Sequence, residues 1–285
     1  MGRIRQANRL PAATRLGRTA LRVANLDRTT RFYRDVIGLA VIERIEERAI
    51  LGAGDEPLLV LRHDDTAPSR RRAETGLYHN AFRVPSRQAL GDALVRIRDR
   101  WSLSGAADHG VSEALYLTDP ENNDVEVYRD YPRTDWPIAQ NGHVHFSSRL
   151  LDLASLQSAA VGNRGVPPGT DLGHVHLEVR SLDAFERFYV GLLGFEVRAE
   201  LPGAIFVAAG DYHHHVAANT WHRRTAPLRG GRGILWFELV VPDETTIDAI
   251  RRRLAGRCIG VERNPAGMTV TDPNGIDIRI RMETA

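Results

Sequence analysis

Phe32–Val41 reads FYRDVIGLAV, and Phe188–Val197 reads FYVGLLGFEV. The aromatic pair, the apolar step and the glycine recur once in each half of the chain, which marks an internal repeat. An alternating apolar run precedes each copy, TALRV at Thr19–Val23 and VHLEV at Val175–Val179, and a period of two is that of a strand. The short polar turn between run and motif carries Asp27 or Asp183, which we expect to cap a helix. Gly38 and Gly194 then fall just past the last helical turn, where a left-handed residue commonly ends a helix.

A second pair of motifs keeps the same register. DPENNDVEVY at Asp119–Tyr128 and DPNGIDIRI at Asp272–Ile280 each read as a turn feeding a final strand. Between these landmarks each half has a further strand-then-helix start, LYHNAFRV before Pro85 and ILWFELVV before Pro242. The chain therefore contains four strand–helix–strands units and is of the α+β class. We expect a basic arm over 1–16, one domain over 17–135, a joiner over 136–172 and a second domain over 173–285. The joiner carries a strand-like HVHF at His143–Phe146, a helix-like LLDLASLQ and a loop NRGVPPGT.

Composition excludes several function classes. The net charge of +2 over 285 residues gives no electrostatic footprint for nucleic acid or an acidic membrane. No run approaches the ~20 apolar residues that span a bilayer. The single cysteine, Cys258, excludes an intramolecular disulfide and any multi-cysteine cluster, and it suggests a reducing, cytoplasmic setting. Every basic residue other than histidine is arginine, so lysine Schiff-base chemistry and a P-loop lysine are both absent.

The repeated units, together with LYHNAF, DHGVSEALYLTDPENNDVEVY and GDYHHHVAANTW, resemble the vicinal oxygen chelate superfamily and, within it, bacterial catechol 2,3-dioxygenases. The resemblance covers nearly the whole chain and implies four βαβββ modules forming two vicinal-oxygen-chelate domains. It also implies extradiol cleavage of a catechol-type diol by O2, at Fe(II) with Mn(II) as a possible substitute, to give a muconic semialdehyde. We expect the enzyme to be a homo-oligomer. Two other classes remain open: another metal enzyme of the superfamily, such as a glyoxalase-like lyase or isomerase, and a non-catalytic protein holding a small molecule in the same cup.

A metal site made from this composition would use imidazole and carboxylate, and two histidines with one carboxylate leave positions open for exogenous ligands. Comparing the halves isolates such a set. His174 stands where the first half has Arg18, His79 where the second half has Trp236, and Glu126 where the second half has Arg279. Each candidate ligand occurs once, and its counterpart cannot bind a cation. Glu126 alternates with Val125 and Val127 and so faces away from them. His176, His143 and His145 are nearby imidazoles without such a pattern. The resemblance implies the same three ligands, drawn from the second and third modules, which must then face each other. It further implies that His214, in a run Tyr212–His215 placed on the third module's last strand, is the acid–base residue, and that His109 and Tyr116 contact the diol oxygens. A one-residue slip would transfer that acid–base role to His213 or His215. Lyases and isomerases of the superfamily use a fourth ligand, often a second glutamate. Its position is read at Leu59–Leu61, where no carboxylate stands. Asn219 and Trp221 are candidate pocket residues, Arg18 and Arg279 candidate structural partners, and Cys258 an apolar filler.

Overall fold

The computed structural model describes residues 9–228 and 230–283. Residues 1–8 of the expected arm lie outside that range. The first module runs β1 (Arg15–Val23), α1 (Leu26–Phe32) with a π-helical turn over Tyr33–Ile37, β2 (Ala40–Ile45), β3 (Arg48–Ala53) and β4 (Glu56–His63). The second has β5 (Gly76–Arg83), α2 (Arg87–Arg100), β6 (Gly105–Asp108), β7 (Ser112–Thr118) and β8 (Asp124–Asp130). The joiner contains α3 (Leu153–Ser158). The third module has β9 (Asp171–Glu178), α4 (Leu182–Phe188) with a π turn over Tyr189–Leu193, β10 (Glu196–Leu201), β11 (Ala204–Ala208) and β12 (Val216–Asn219). The fourth has β13 (Gly233–Val241), α5 (Glu244–Ala255), β14 (Glu262–Asn264), β15 (Gly267–Thr271) and β16 (Asp277–Met282). All four modules are βαβββ units.

The two repeated motifs are physically joined. In each half, the tyrosine of the FY pair donates to the aspartate of the DP turn: Tyr33 Oη to Asp119 Oδ2 at 3.1 Å, and Tyr189 Oη to Asp272 Oδ2 at 3.2 Å. Asp119 also accepts from the backbone N–H groups of Glu121 and Asn123, which shapes the turn into β8. The π turns end on Gly38 at φ 94° and Gly194 at φ 98°, a region where a side chain is strained. Arg96 on α2 and Arg253 on α5 then donate to the carbonyls left open there, those of Ile37 and Leu193 among them.

The sixteen strands form two eight-stranded sheets. Their orders are β14-β15-β16-β13-β1-β4-β3-β2 and β10-β11-β12-β9-β5-β8-β7-β6. Each sheet takes one module from each half, the first with the fourth and the second with the third. We propose that 17–135 and 173–285 are duplicated halves that each contribute a module to both sheets. One contiguous apolar core, including Tyr33, Phe82, Phe185 and Phe237, joins the helices to both sheets. Val125 and Val127 lie in it, so Glu126 between them faces the other way. Among the described residues no helix is long and apolar enough to cross a membrane.

Some local expectations are corrected. The helix caps are Asn25 and Ser181, which accept from Arg28 N and Ala184 N; Asp27 and Asp183 lie in the first turn, where they face the positive end of the helix dipole. HVHF forms only an isolated bridge between Ile138 and Val144, because its chain runs beside no continuous partner. The run Tyr212–His215 lies in the loop before β12 and not on that strand, so strand alternation does not set its faces. Cys258 is exposed and left-handed at φ 56°, and so fills nothing. Arg18 and Arg279 do not pair: Arg18 binds Glu238, and Arg279 lies 3.9 Å over the Trp236 ring.

Candidate metal centre

The second sheet brings His79, Glu126 and His174 together. His79 comes from β5, Glu126 from the neighbouring β8 and His174 from β9 on the other side of β5. All three are buried. His79 Nε2 lies 3.1 Å from Glu126 Oε2 and 3.2 Å from His174 Nε2, and the third side of the triangle is 3.2 Å. Cis positions on a first-row metal with bonds of about 2.1 Å lie about 3.0 Å apart. The triangle therefore fits one face of an octahedron.

The charges fit as well. Burial disfavours the Glu126 anion, but the two imidazoles beside it prevail and hold its carboxyl well below the usual carboxylate range. Burial lowers His174 to about 4 against the pull of Glu126, so its ring is neutral at pH 7. A buried carboxylate beside a neutral ring calls for a cation. No described guanidinium hydrogen-bonds Glu126.

Register identifies the fourth position of this cup. Ala81 on β5 is paired with Glu126, and His176, its counterpart on β9, is paired with Ala217 on β12. Ala217 therefore stands where a second glutamate would be required. Leu59–Leu61 lie on β4 in the other sheet, so the expectation of no fourth carboxylate is kept but its location is corrected. His176 is buried beside His79, yet its Nε2 is 3.1 Å from the amide Nδ2 of Asn219, which can only donate. His143 and His145 do not line the cavity.

The triad lies in a cavity of about 610 Å³ lined by Tyr78, Phe146, Phe206, Leu201 and Trp221 among others. His109, Tyr116 and His214 all line it too. His109 Nδ1 is 3.0 Å from the Ser147 carbonyl, which can only accept, so its proton is on Nδ1. The bare Nε2 then accepts a hydrogen bond from the Tyr116 hydroxyl at 2.7 Å. Burial, and then the Glu126 charge, push the Tyr116 phenol well above its ordinary range and keep it protonated. The His174 ring is packed between Tyr128 and His214, with ring centres 4.9 and 4.1 Å away. Its Nδ1 is buried without a hydrogen-bond partner, so packing fixes this ring where an orienting acceptor is more usual. Gly173 precedes it because a Cβ there would sit 1.9 Å from Tyr128 Oη.

The sequence reading missed Asp130 and offered His213 only as a slipped acid–base residue; the two lie behind His214 in a hydrogen-bonded row. One signal was present: Glu126, Tyr128 and Asp130 alternate along β8 and so share a face.

Fold and site together define a double cup of repeated βαβββ modules with, among the described residues, one His–Glu–His cluster. The model of the Glyoxalase/Bleomycin resistance protein/Dioxygenase superfamily matches residues 15–127 and 171–280, and the chain belongs to this superfamily. A Bacillus subtilis (strain 168) protein named catechol-2,3-dioxygenase is 35% identical over 268 residues, 91% of this chain and 94% of that one. A Rhodococcus globerulus protein named biphenyl-2,3-diol 1,2-dioxygenase 3 is 31% identical over 120 residues, 41% of this chain and 63% of that one. Zea mays glyoxalase I shares the fold with a TM-score of 0.59 at 15% identity, over 95% of this chain and 92% of that one. Such relatives imply a metal cofactor, and the triad is the described cluster able to hold one.

Proposed function

We propose that the protein is an extradiol dioxygenase that opens a catechol-type ring beside its two hydroxyls, with both atoms of O2 entering a muconic semialdehyde. His79, Glu126 and His174 would hold the metal, and Fe(II) is the ion that suits the reaction, with Mn(II) as a competitor. When bound, the ion supplies adjoining positions for diol and O2 and a path for electrons from ring to oxygen. The observation that carries this reading is the three-ligand triangle with Ala217 at the fourth corner, because three protein ligands leave room for both substrates.

The chain's own groups do the rest. With its proton committed to His109, Tyr116 Oη offers a lone pair to a diol hydroxyl. His214, held well below the usual imidazolium range by burial and then by neighbouring imidazoles, is a neutral acid–base group at the cavity wall. Phe146, Phe206 and Trp221 give the cavity an aromatic wall against which a substrate ring can pack. A four-ligand lyase or isomerase lacks its fourth carboxylate here.

Oxygen uptake tests the proposal. The protein is loaded anaerobically with Fe(II) and mixed with a panel of diols in air-saturated buffer. Uptake near one O2 per ring with a yellow product is expected. No uptake from any diol, with iron confirmed bound, sinks it.

A further inference from the structure

Behind His214 runs a chain of hydrogen bonds whose members neither hydrogen-bond the three ligands nor line the cavity. Asp130 ends β8, four residues beyond Glu126, with its side chain 17% exposed. Its Oδ2 accepts from Arg83 Nη1 at 3.0 Å and from the Tyr212 hydroxyl at 3.0 Å. Its Oδ1 lies 2.9 Å from His213 Nε2. His213 Nδ1 lies 2.7 Å from His214 Nδ1. His214 Nε2 has no partner among the described residues, and the ring lines the cavity.

Donor and acceptor rules decide where the protons sit. A carboxylate only accepts, so His213 carries its proton on Nε2. In a neutral ring Nδ1 is then bare and must accept, so His214 donates from Nδ1. We infer that Asp130 and His213 are positioning residues that fix the tautomer of His214, so that a bare Nε2 faces the substrate cavity. The inference builds on the acid–base reading of His214 given above, but the tautomer can be measured without it.

The same rules make Asp130→Asn an inverting substitution. Arg83 can only donate, so it holds the new amide oxygen at the former Oδ2 position. The amide nitrogen then faces His213 Nε2 and requires it to be bare. The His213 proton moves to Nδ1 and is donated to His214 Nδ1, and the His214 proton moves to Nε2. Heavy atoms stay in place while both tautomers reverse. His213→Gln should act in the opposite way. Its amide nitrogen donates to Asp130, its oxygen accepts from His214 Nδ1, and the tautomer is kept.

The test uses the full chain labelled with 15N-histidine, without metal, in long-range 1H–15N spectra. The wild type and His213→Gln should show a bare His214 Nε2, and Asp130→Asn a protonated one. With Fe(II) loaded, Asp130→Asn should lose about 10²–10⁴ in kcat, the scale of losing a correctly placed acid–base group, with KM within about threefold. His213→Gln should keep turnover within about tenfold. Mn(II) affinity and Tm should be unchanged in both. A protonated Nε2 in the wild type, or an unchanged tautomer in Asp130→Asn, overturns the inference. Full turnover in His214→Ala overturns the acid–base reading instead and leaves the tautomer assignment to the spectra of the metal-free protein.

Discussion

Glu126→Gln separates a metal centre from an ordinary buried ion pair. In the metal-free protein the Glu126 carboxylate is buried and meets two imidazole nitrogens at 3.1 and 3.2 Å, one of them on a ring held neutral at pH 7. An incompletely paired buried charge costs several kcal/mol, while each charge-assisted hydrogen bond returns about 1.5–3 kcal/mol. These terms nearly cancel. Glutamine keeps the shape and removes the charge, so the metal-free variant should lie within about 1 kcal/mol of wild type or above it. Metal reverses the order. At a free concentration 1,000 times Kd, a metal stabilises the wild type by about 4 kcal/mol, which for a chain of this size raises Tm by about 8–16 °C. The variant should gain under about 2 °C. Thermal unfolding followed by circular dichroism, with and without Mn(II) as an oxygen-stable probe, reads both quantities. A metal-free variant destabilised by more than about 2 kcal/mol, with an undiminished Mn(II) shift, would refute the reasoning.

His214→Ala should lower kcat by about 10²–10⁴ with Mn(II) affinity unchanged, as read by steady-state oxygen uptake and calorimetry. Tyr116→Phe removes the oxygen offered to the diol and should lower kcat/KM by about 2–10-fold, the worth of one neutral hydrogen bond, with metal content retained. Gly173→Ala places a Cβ 1.9 Å from Tyr128 Oη; it should cost about 1–3 kcal/mol and weaken metal binding through the displaced His174, measured by denaturant unfolding and Mn(II) titration. The cavity has no arginine among its described lining residues, so catechols bearing a carboxylate should show KM values at least about tenfold above neutral alkyl or aryl catechols.

What the sequence disclosed, and what it withheld, follows from the range of the interactions involved. The FY and DP motifs were legible because each half repeats them, and Tyr33–Asp119 and Tyr189–Asp272 are the contacts that require the repetition. The triad was legible as a set because the counterparts Arg18, Trp236 and Arg279 rule out a second copy. Helix caps were misplaced by two residues: Asn25 and Ser181, themselves good capping types, accept from the N–H three residues on, and Asp27 and Asp183 fall inside the first turn. The loop holding His213 and His214 has no periodicity, so its faces depend on Asp130, 83 residues away in sequence. Partnership of β5 with β9 is likewise tertiary: nothing local to either strand specifies it.

The two cups serve as controls for each other. Each cup has a buried carboxylate that can be compared with the other's, Glu126 in one and Glu238 in the other. Glu238 stands at the position of Ala81, and it is buried like Glu126. There the protein supplies the cations itself. Arg18 Nη2 reaches Glu238 Oε1 at 2.6 Å, its backbone N–H reaches Oε2 at 3.0 Å, and Arg281 Nε reaches Oε2 at 3.2 Å. Glu238 stays below the usual carboxylate range because, against its burial, the Arg18 contacts and then Arg281 prevail. Arg18 occupies the very position that His174 has in the other cup. One scaffold thus treats a buried carboxylate in two ways: two guanidinium partners where metal ligands are absent, and two imidazoles where they are present. A guanidinium has no lone pair to give a metal, whereas an imidazole can bind one beside the carboxylate. The choice of His174 and His79 over arginine therefore favours an external cation at Glu126. Exchanging Arg18 for histidine should leave Glu238 short of a partner and destabilise the first cup by about 1.5–3 kcal/mol, the worth of a charge-assisted hydrogen bond. Mn(II) should not restore that loss, because Trp236 and Arg279 stand where the other two ligands would be. Rescue by Mn(II) would mean that the first cup also binds metal and would remove the contrast on which this argument depends.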